Sequence, residues 1–238
     1  MSMTFPLSLA LTAAEFAACT ALPGNCAWMA CHYSCYSTGL SNCPDTLPPG
    51  AMLILNDRMP PCGHDPKLIA KQLSLLTEEV QASCVLLDFQ RPELPENAAV
   101  ARAVVETLSC PVGVSDLYAR DLTCPVFLPP PPLHQPIKEY LHSWQGREIW
   151  LEAALDALQI TVTPEGSRFA PVSPTPEIPG GFDEEKLHCR YRIETSREQG
   201  VFTLVRTPEH LQALFEEVQT LGVTKTVGLY QELGKCFQ

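Results

Sequence analysis

Side chains able to hold or move a proton stand at the downstream end of one apolar run after another. Ala51 to Leu55 stops at Asn56-Asp57-Arg58, Cys84 to Leu87 at Asp88-Phe89-Gln90, Val112 to Val114 at Ser115-Asp116, Ile149 to Leu151 at Glu152, and Thr226 to Leu229 at Tyr230-Gln231-Glu232. Carboxyl groups brought together from separate strands can divide general acid and general base work between them. On this pattern Asp88, Glu152 and Glu232 are the candidate catalytic groups, and Asn56, Asp57, Gln90 and Asp116 are candidate ligand contacts. Tyr33, Tyr118, Trp150 and Tyr230 fall near similar run ends, where an aromatic ring either stacks on a ligand or closes over the core. An acidic residue after a strand also caps the next helix or pairs with a nearby Arg58, Arg91 or Arg206, so the set points to a site and no single member does.

The elements that must position these groups are legible from periodicity. Asp65 and Pro66 make an N-cap and first-turn proline, after which Ile69, Leu73, Leu76 and Val80 recur at helical spacing. Thr207 and Pro208 repeat the device ahead of Leu211, Leu214, Phe215 and Val218, and Gly222 stops the stripe. Glu96 to Leu108 and Pro136 to Trp144 read as two further helices, each leading into an apolar run. Strands are expected at Ala27 to Tyr33, Ala51 to Leu55, Cys84 to Phe89, Val112 to Ser115, Val126 to Leu128, Glu148 to Leu151, within Leu187 to Val205, and at Thr226 to Tyr230. That count predicts an α/β fold of (β/α)8 barrel type over residues 1–238 as a single domain, with reduced or irregular helices. The short crossovers leave an open doubly wound sheet as the rival. Hairpins are expected over 158–169 and 188–205, as a rim insertion around 158–205. Pro129 to Pro132 reads as a stiff rim loop and Pro171 to Gly181 as an exposed connection.

The segment Ser83 to Gln90 (SCVLLDFQ) resembles the fourth-strand signature of glycoside hydrolase family 18, which runs Asp-Gly-x-Asp-x-Asp-x-Glu. Asp88 matches the last aspartate, whereas Ser83 and Leu86 replace the two earlier ones and Gln90 stands at the proton-donating glutamate. The resemblance implies a (β/α)8 barrel acting on N-acetylglucosamine polymers, with the aspartate orienting the acetamido group of the substrate. A glutamine cannot donate a proton as a carboxylic acid does. On this reading the chain either uses Glu152 or Glu232 as the acid or is a non-catalytic sugar-binding or interaction protein.

Bulk properties narrow the partners. A formal charge of −11 excludes the lysine and arginine clusters that bind phosphate backbones or anionic lipid, so neither nucleic acid nor membrane is expected as a partner. A small polar ligand, with a glycan or sugar derivative foremost, is expected instead. The apolar amino-terminal stretch lacks a basic n-region and carries Glu15, which reads as a first strand or helix and not as a signal peptide. Eleven cysteines, an odd number with several inside strand-like runs, suit a reducing cytoplasm. Cys26, Cys31, Cys35 and Cys43 surround His32 but lack the paired C-x2-C knuckles of structural zinc, so no metal is expected, and a thiol or metal enzyme built there is the third alternative. No P-loop, G-x-G-x-x-G, H-E-x-x-H or G-x-S-x-G occurs, and no cofactor is expected.

Overall fold

Eight parallel strands close on themselves. In the computed structural model, whose described residues are 7–92, 94–173 and 178–236, they are β1 (Leu7–Leu11), β2 (Cys26–Tyr33), β4 (Met52–Asn56), β5 (Cys84–Asp88), β6 (Val112–Ser115), β7 (Val126–Leu128), β8 (Ile149–Ala153) and β14 (Val223–Leu229). Around the ring the order is β1, β14, β8, β7, β6, β5, β4, β2, and β1 pairs in parallel with β2 to shut it. The two-residue β3 (Leu40–Ser41) adds an antiparallel flap to β2.

The crossovers are uneven. Three are full helices: α2 (Pro66–Glu79), α3 (Pro95–Thr107) and α6 (Pro208–Thr220). Each begins on a proline, which fixes φ and gives up only an N–H that a first turn leaves unpaired anyway. Asp65 caps α2 by accepting from the Lys67 N–H at 3.0 Å. The others are one or two turns: α1 (Ala13–Ala18), α4 (Asp116–Ala119), α5 (Ile137–Leu141) and the terminal α7 (Tyr230–Leu233). Thr12 and Glu15 form a capping box that holds even the six-residue α1.

A second sheet interrupts the barrel between β8 and α6. Its strands, β9 (Ala157–Thr163), β10 (Gly166–Pro171), β11 (Phe182–Glu184), β12 (Cys189–Thr195) and β13 (Gly200–Val205), run antiparallel in the order β10, β9, β13, β12, β11. The two predicted hairpins therefore merge into one sheet, because β9 also pairs with β13. This corrects the strand count: the strand placed in Leu187 to Val205 belongs to the insertion, and the missing barrel strand is β1 at the amino-terminal apolar run. Of the connection predicted over Pro171 to Gly181, residues 174–177 lie outside the described residues. Arg206, 2% exposed, fastens the insertion to the barrel by donating to the carbonyls of Pro131 (3.1 Å) and His188 (3.4 Å), so the proline loop after β7 is the insertion's seat.

Strand alternation sorts the apolar residues into two layers. Ala10, Ala27, Met52, Ile54, Cys84, Leu86, Phe127, Trp150 and Val227 fill the barrel interior. Val85, Leu87, Val114 and Leu151 point outward and pack on Ile69 and Leu73 of α2, Val100 and Val104 of α3, and Leu211 and Phe215 of α6. The widest interior group, Trp150, fits because β6 carries Gly113: a Cβ there would meet the indole at 2.2 Å. Gly113→Ala should thus cost about 1–3 kcal/mol by overpacking, seen as a lower midpoint in urea unfolding, and Trp150→Phe in the same chain should recover part of the loss.

Candidate functional site

The interior pattern ends in polar residues at the carboxyl ends of the strands. Asp88 stands two residues beyond Leu86, Glu152 two beyond Trp150, and Asn56 two beyond Ile54, so all three continue an inward-facing row. They line one cavity of about 570 Å³, floored by Leu86, Phe127, Ile54 and Val227 and bordered by Gln90, Asp57, Arg58, Arg91, His32 and Asn42. That volume lies within the roughly 300–1,000 Å³ of small-ligand pockets.

The carboxyls at this mouth resist ionisation. Burial pushes Glu152 up to about 7, and the charges of Asp88, Asp156 and Glu232 add to the rise. Asp88 is raised as well, mainly by burial, with the Asp57 charge adding to it and a hydrogen bond from the Gln90 amide to its Oδ1 opposing it. Gln90 is thus directed at Asp88, two residues back on the same strand end.

Asp57 has a different role from the one its position suggested. Its carboxylate, on a residue 2% exposed, accepts the backbone N–H groups of Gln90 (3.0 Å) and Arg91 (2.9 Å) and the Asn97 side-chain amide (2.9 Å). The loop after β5 is built around it. Asn56 is likewise engaged: its Nδ2 donates to the Met29 carbonyl at 2.8 Å and its Oδ1 accepts the Arg58 N–H at 3.1 Å.

The candidate ligand contacts Tyr33, Trp150, Tyr230 and Asp116 and the candidate acid Glu232 do not line this cavity, and the aromatic rings, Tyr118 among them, take the core-closing alternative. Tyr33 is wholly buried outside the barrel against His64 and Phe89, its hydroxyl donating to Asn97 at 3.3 Å. A bulge in β2 between Trp28 and Cys31 causes this, since one extra residue inverts the parity and turns His32 inward in place of Tyr33. Trp150 faces inward but one layer too deep, 0% exposed, with its indole N–H on Glu148 at 3.1 Å. Tyr230 packs from α7 against the outer core, and Tyr118 donates from α4 to the Arg91 carbonyl. Glu232, also on α7, accepts the Leu155 N–H instead of lining the cavity, although its charge reaches Glu152. Asp116 opens α4 and does not line the cavity either.

Sequence reasoning passed over His32 and Asn42 as cavity residues. Nδ1 of His32 lies 2.7 Å from the Tyr33 carbonyl, which can only accept, so that nitrogen carries the proton and Nε2 accepts from the Asn42 amide at 3.0 Å. Nothing in the one-dimensional pattern announces the bulge that brings His32 there. Among the described residues no group of three or more His, Cys, Asp or Glu is placed to hold a metal ion.

Comparisons with known proteins agree on the barrel. No family model matches the sequence, and no curated protein matches it. Among solved structures, a glycoside hydrolase family 18 N-acetylglucosaminidase from Paenibacillus barengoltzii superposes with a TM-score of 0.60 at 8% identity, covering 94% of each chain. The fold shared with it is a closed (β/α)8 barrel. A glutamate-to-glutamine mutant of the class V chitinase from Nicotiana tobaccum, in complex with NAG4, gives 0.58 at 8% identity over 94% of this chain and 93% of that one. The spore cortex-lytic enzyme SleL of Bacillus megaterium QM B1551 is longer: at 14% identity and a TM-score of 0.47 the match spans 75% of this chain and 55% of SleL.

The raised Glu152 has a consequence for stability. Its folded value of about 7 exceeds the unfolded 4.5, so between these pH values the folded state binds more protons and stability must fall as pH rises through the window. The loss is at most about 3.5 kcal/mol, since a tenfold difference in proton affinity is worth about 1.4 kcal/mol. Glu152→Gln should flatten this decline in urea unfolding series between pH 4.5 and about 7 and should leave the protein more stable than wild type at the alkaline end.

Proposed function

We propose that the barrel mouth binds a glycan of N-acetylglucosamine type and that Asp88 and Glu152 form its acid–base pair. The observation that carries this reading is the placement of two partly desolvated carboxyls, from strands on different sides of the ring, at the head of one small cavity. Such a pair suits glycoside hydrolysis because one group must lend a proton to the leaving oxygen while the other carries negative charge near the anomeric carbon. Glu152, held near neutrality, is the proton donor. Asp88, steadied by the Gln90 amide, takes the charged role. The likeness to family 18 barrels, one of them in complex with NAG4, supports the ligand class.

A second reading rests on Gln90. An amide stands where the resembling family has its acid, and it is already hydrogen-bonded to Asp88, an arrangement suited to holding a sugar without cleaving it. Calorimetric titration with N-acetylglucosamine oligomers and a reducing-end assay on the same oligomers separate the two. Under the first reading, turnover falls as pH rises through about 7, and Glu152→Gln and Asp88→Asn each lower kcat by about 10²–10⁴-fold without lowering the unfolding midpoint. Binding without turnover, left silent by Gln90→Glu, selects the second. Neither binding nor turnover refutes both.

A further inference from the structure

Beside the cleft, and unused by it, two thiols from opposite sides of the β2–β3 flap come within 3.9 Å of each other, those of Cys31 and Cys43. Their environments differ. Cys31 is 0% exposed and faces the outer core, whereas Cys43 is exposed just beyond β3. A groove of about 300 Å³ opens at Cys43 between the flap and α2, lined by Ser37, Thr38, Gly39, Gln72 and Leu76. In that groove the Oε1 of Gln72 is buried and has no hydrogen-bond donor. A buried acceptor left unpaired normally answers to a missing partner, and a peptide-like molecule would supply the N–H.

The flap meets the cleft through one residue. Asn42, in the left-handed region at φ 53°, precedes Cys43; its carbonyl accepts the Trp28 indole N–H at 2.8 Å and its amide donates to His32 Nε2 at 3.0 Å. His32 and Asn42 both line the cavity that holds Asp88 and Glu152. A covalent link at residue 43 would therefore fix the residue next to it against the cleft wall.

We propose that Cys31 and Cys43 are a reversible thiol–disulfide couple that exchanges with a small peptide disulfide of the glutathione class through the groove at Cys43, and that closing it pins Asn42 at the mouth of the cleft. The thiolate of Cys43 attacks one sulfur of the incoming disulfide and expels one thiolate, leaving a mixed disulfide. Cys31 attacks Cys43 Sγ and passes its proton to the departing peptide sulfur, which leaves as the second thiol; two protein thiols are oxidised and one disulfide is reduced to two thiols. The sulfurs must close from 3.9 Å to about 2.05 Å, a movement within reach of rotation about Cys43 and a small shift of the exposed flap. Exposure assigns attack to Cys43 and resolution to the buried Cys31, and the contact between the two thiols lowers Cys43 while raising Cys31, which favours the same order.

The consequence for the cleft rests on the function proposed above, but the exchange chemistry does not, and the test keeps them apart. The full chain is equilibrated with glutathione disulfide, alkylated and digested with chymotrypsin, which cuts after Tyr33 and Leu40 and so separates Cys31, Cys35 and Cys43. The expected product joins the Cys31 and Cys43 peptides, reverts fully with excess glutathione, and forms unchanged in Cys35→Ser. Cys31→Ser should stop at a glutathione adduct on Cys43, and amide exchange over residues 34–43 should slow on oxidation. A bridge from Cys43 to Cys35, an adduct that persists on Cys43 in the wild type, or oxidation spread evenly over the cysteines overturns the proposal. If the bridge forms and no sugar oligomer binds in either redox state, the redox couple stands and the glycan reading falls.

Discussion

A closed ring of eight parallel strands admits only every second side chain to its interior, and the chemistry of this protein depends on what that restriction leaves at the top. The lower layers are filled to contact by Trp150 over Gly113, with Met52, Cys84 and Ala27 around it. Apolar side chains thus form the floor beneath the mouth, and the next inward positions, occupied by Asp88 and Glu152, are desolvated from below. Their resistance to ionisation is a packing effect before it is an electrostatic one. A looser floor would hydrate both groups and erase the difference between them and an ordinary surface acid.

The two walls of the mouth are built from different bonds. On the β4–β5 side, Asp57 gathers two backbone N–H groups and the Asn97 amide, while the Arg91 guanidinium donates back to the carbonyls of Asp57 and Arg58. The Tyr118 hydroxyl donates to the Arg91 carbonyl and accepts the Leu94 N–H, extending the network to α4. Charge-assisted bonds of this density hold Gln90 in place opposite Asp88. On the β2 side the flap is secured by the antiparallel pairing of β3 with β2, the Ser34 N–H bond to the Gly39 carbonyl, the Asn56 bond to Met29 and the Trp28 and His32 bonds to Asn42.

Legibility in the sequence followed the physics of each signal. Runs ending in acids were readable because parallel strands expose their carboxyl ends to ligand, and the helices because proline at the first turn and apolar spacing are local. Asp88, Glu152, Asn56, Asp57 and Gln90 line the cavity for that reason. Parity across a bulge is not local: the extra residue between Trp28 and Cys31 is set by how β2 meets β4, and it exchanged Tyr33 for His32. Depth is not local either, which is why Trp150 reads as a rim aromatic in the sequence and forms the floor in three dimensions. Glu232 follows the last barrel strand as the pattern requires, yet the turn into α7 carries it to the Leu155 amide. The strand within Leu187 to Val205 was misplaced because the antiparallel insertion uses the same β-forming residues as the barrel.

Gln90 bears on the ionisation of the two acids. A third carboxyl at position 90 would face Asp88 with Asp57 and Glu152 close by, and mutual repulsion in a desolvated mouth would spread the available proton over the group. An amide donates without adding charge. By bonding Asp88 it favours the aspartate over the acid, and the charge so retained is itself one of the causes that raise Glu152. On the function proposed above, Gln90 therefore favours Asp88 as the anion and Glu152 as the acid, and the asymmetry between them rests on the barrel's packing and one neutral side chain.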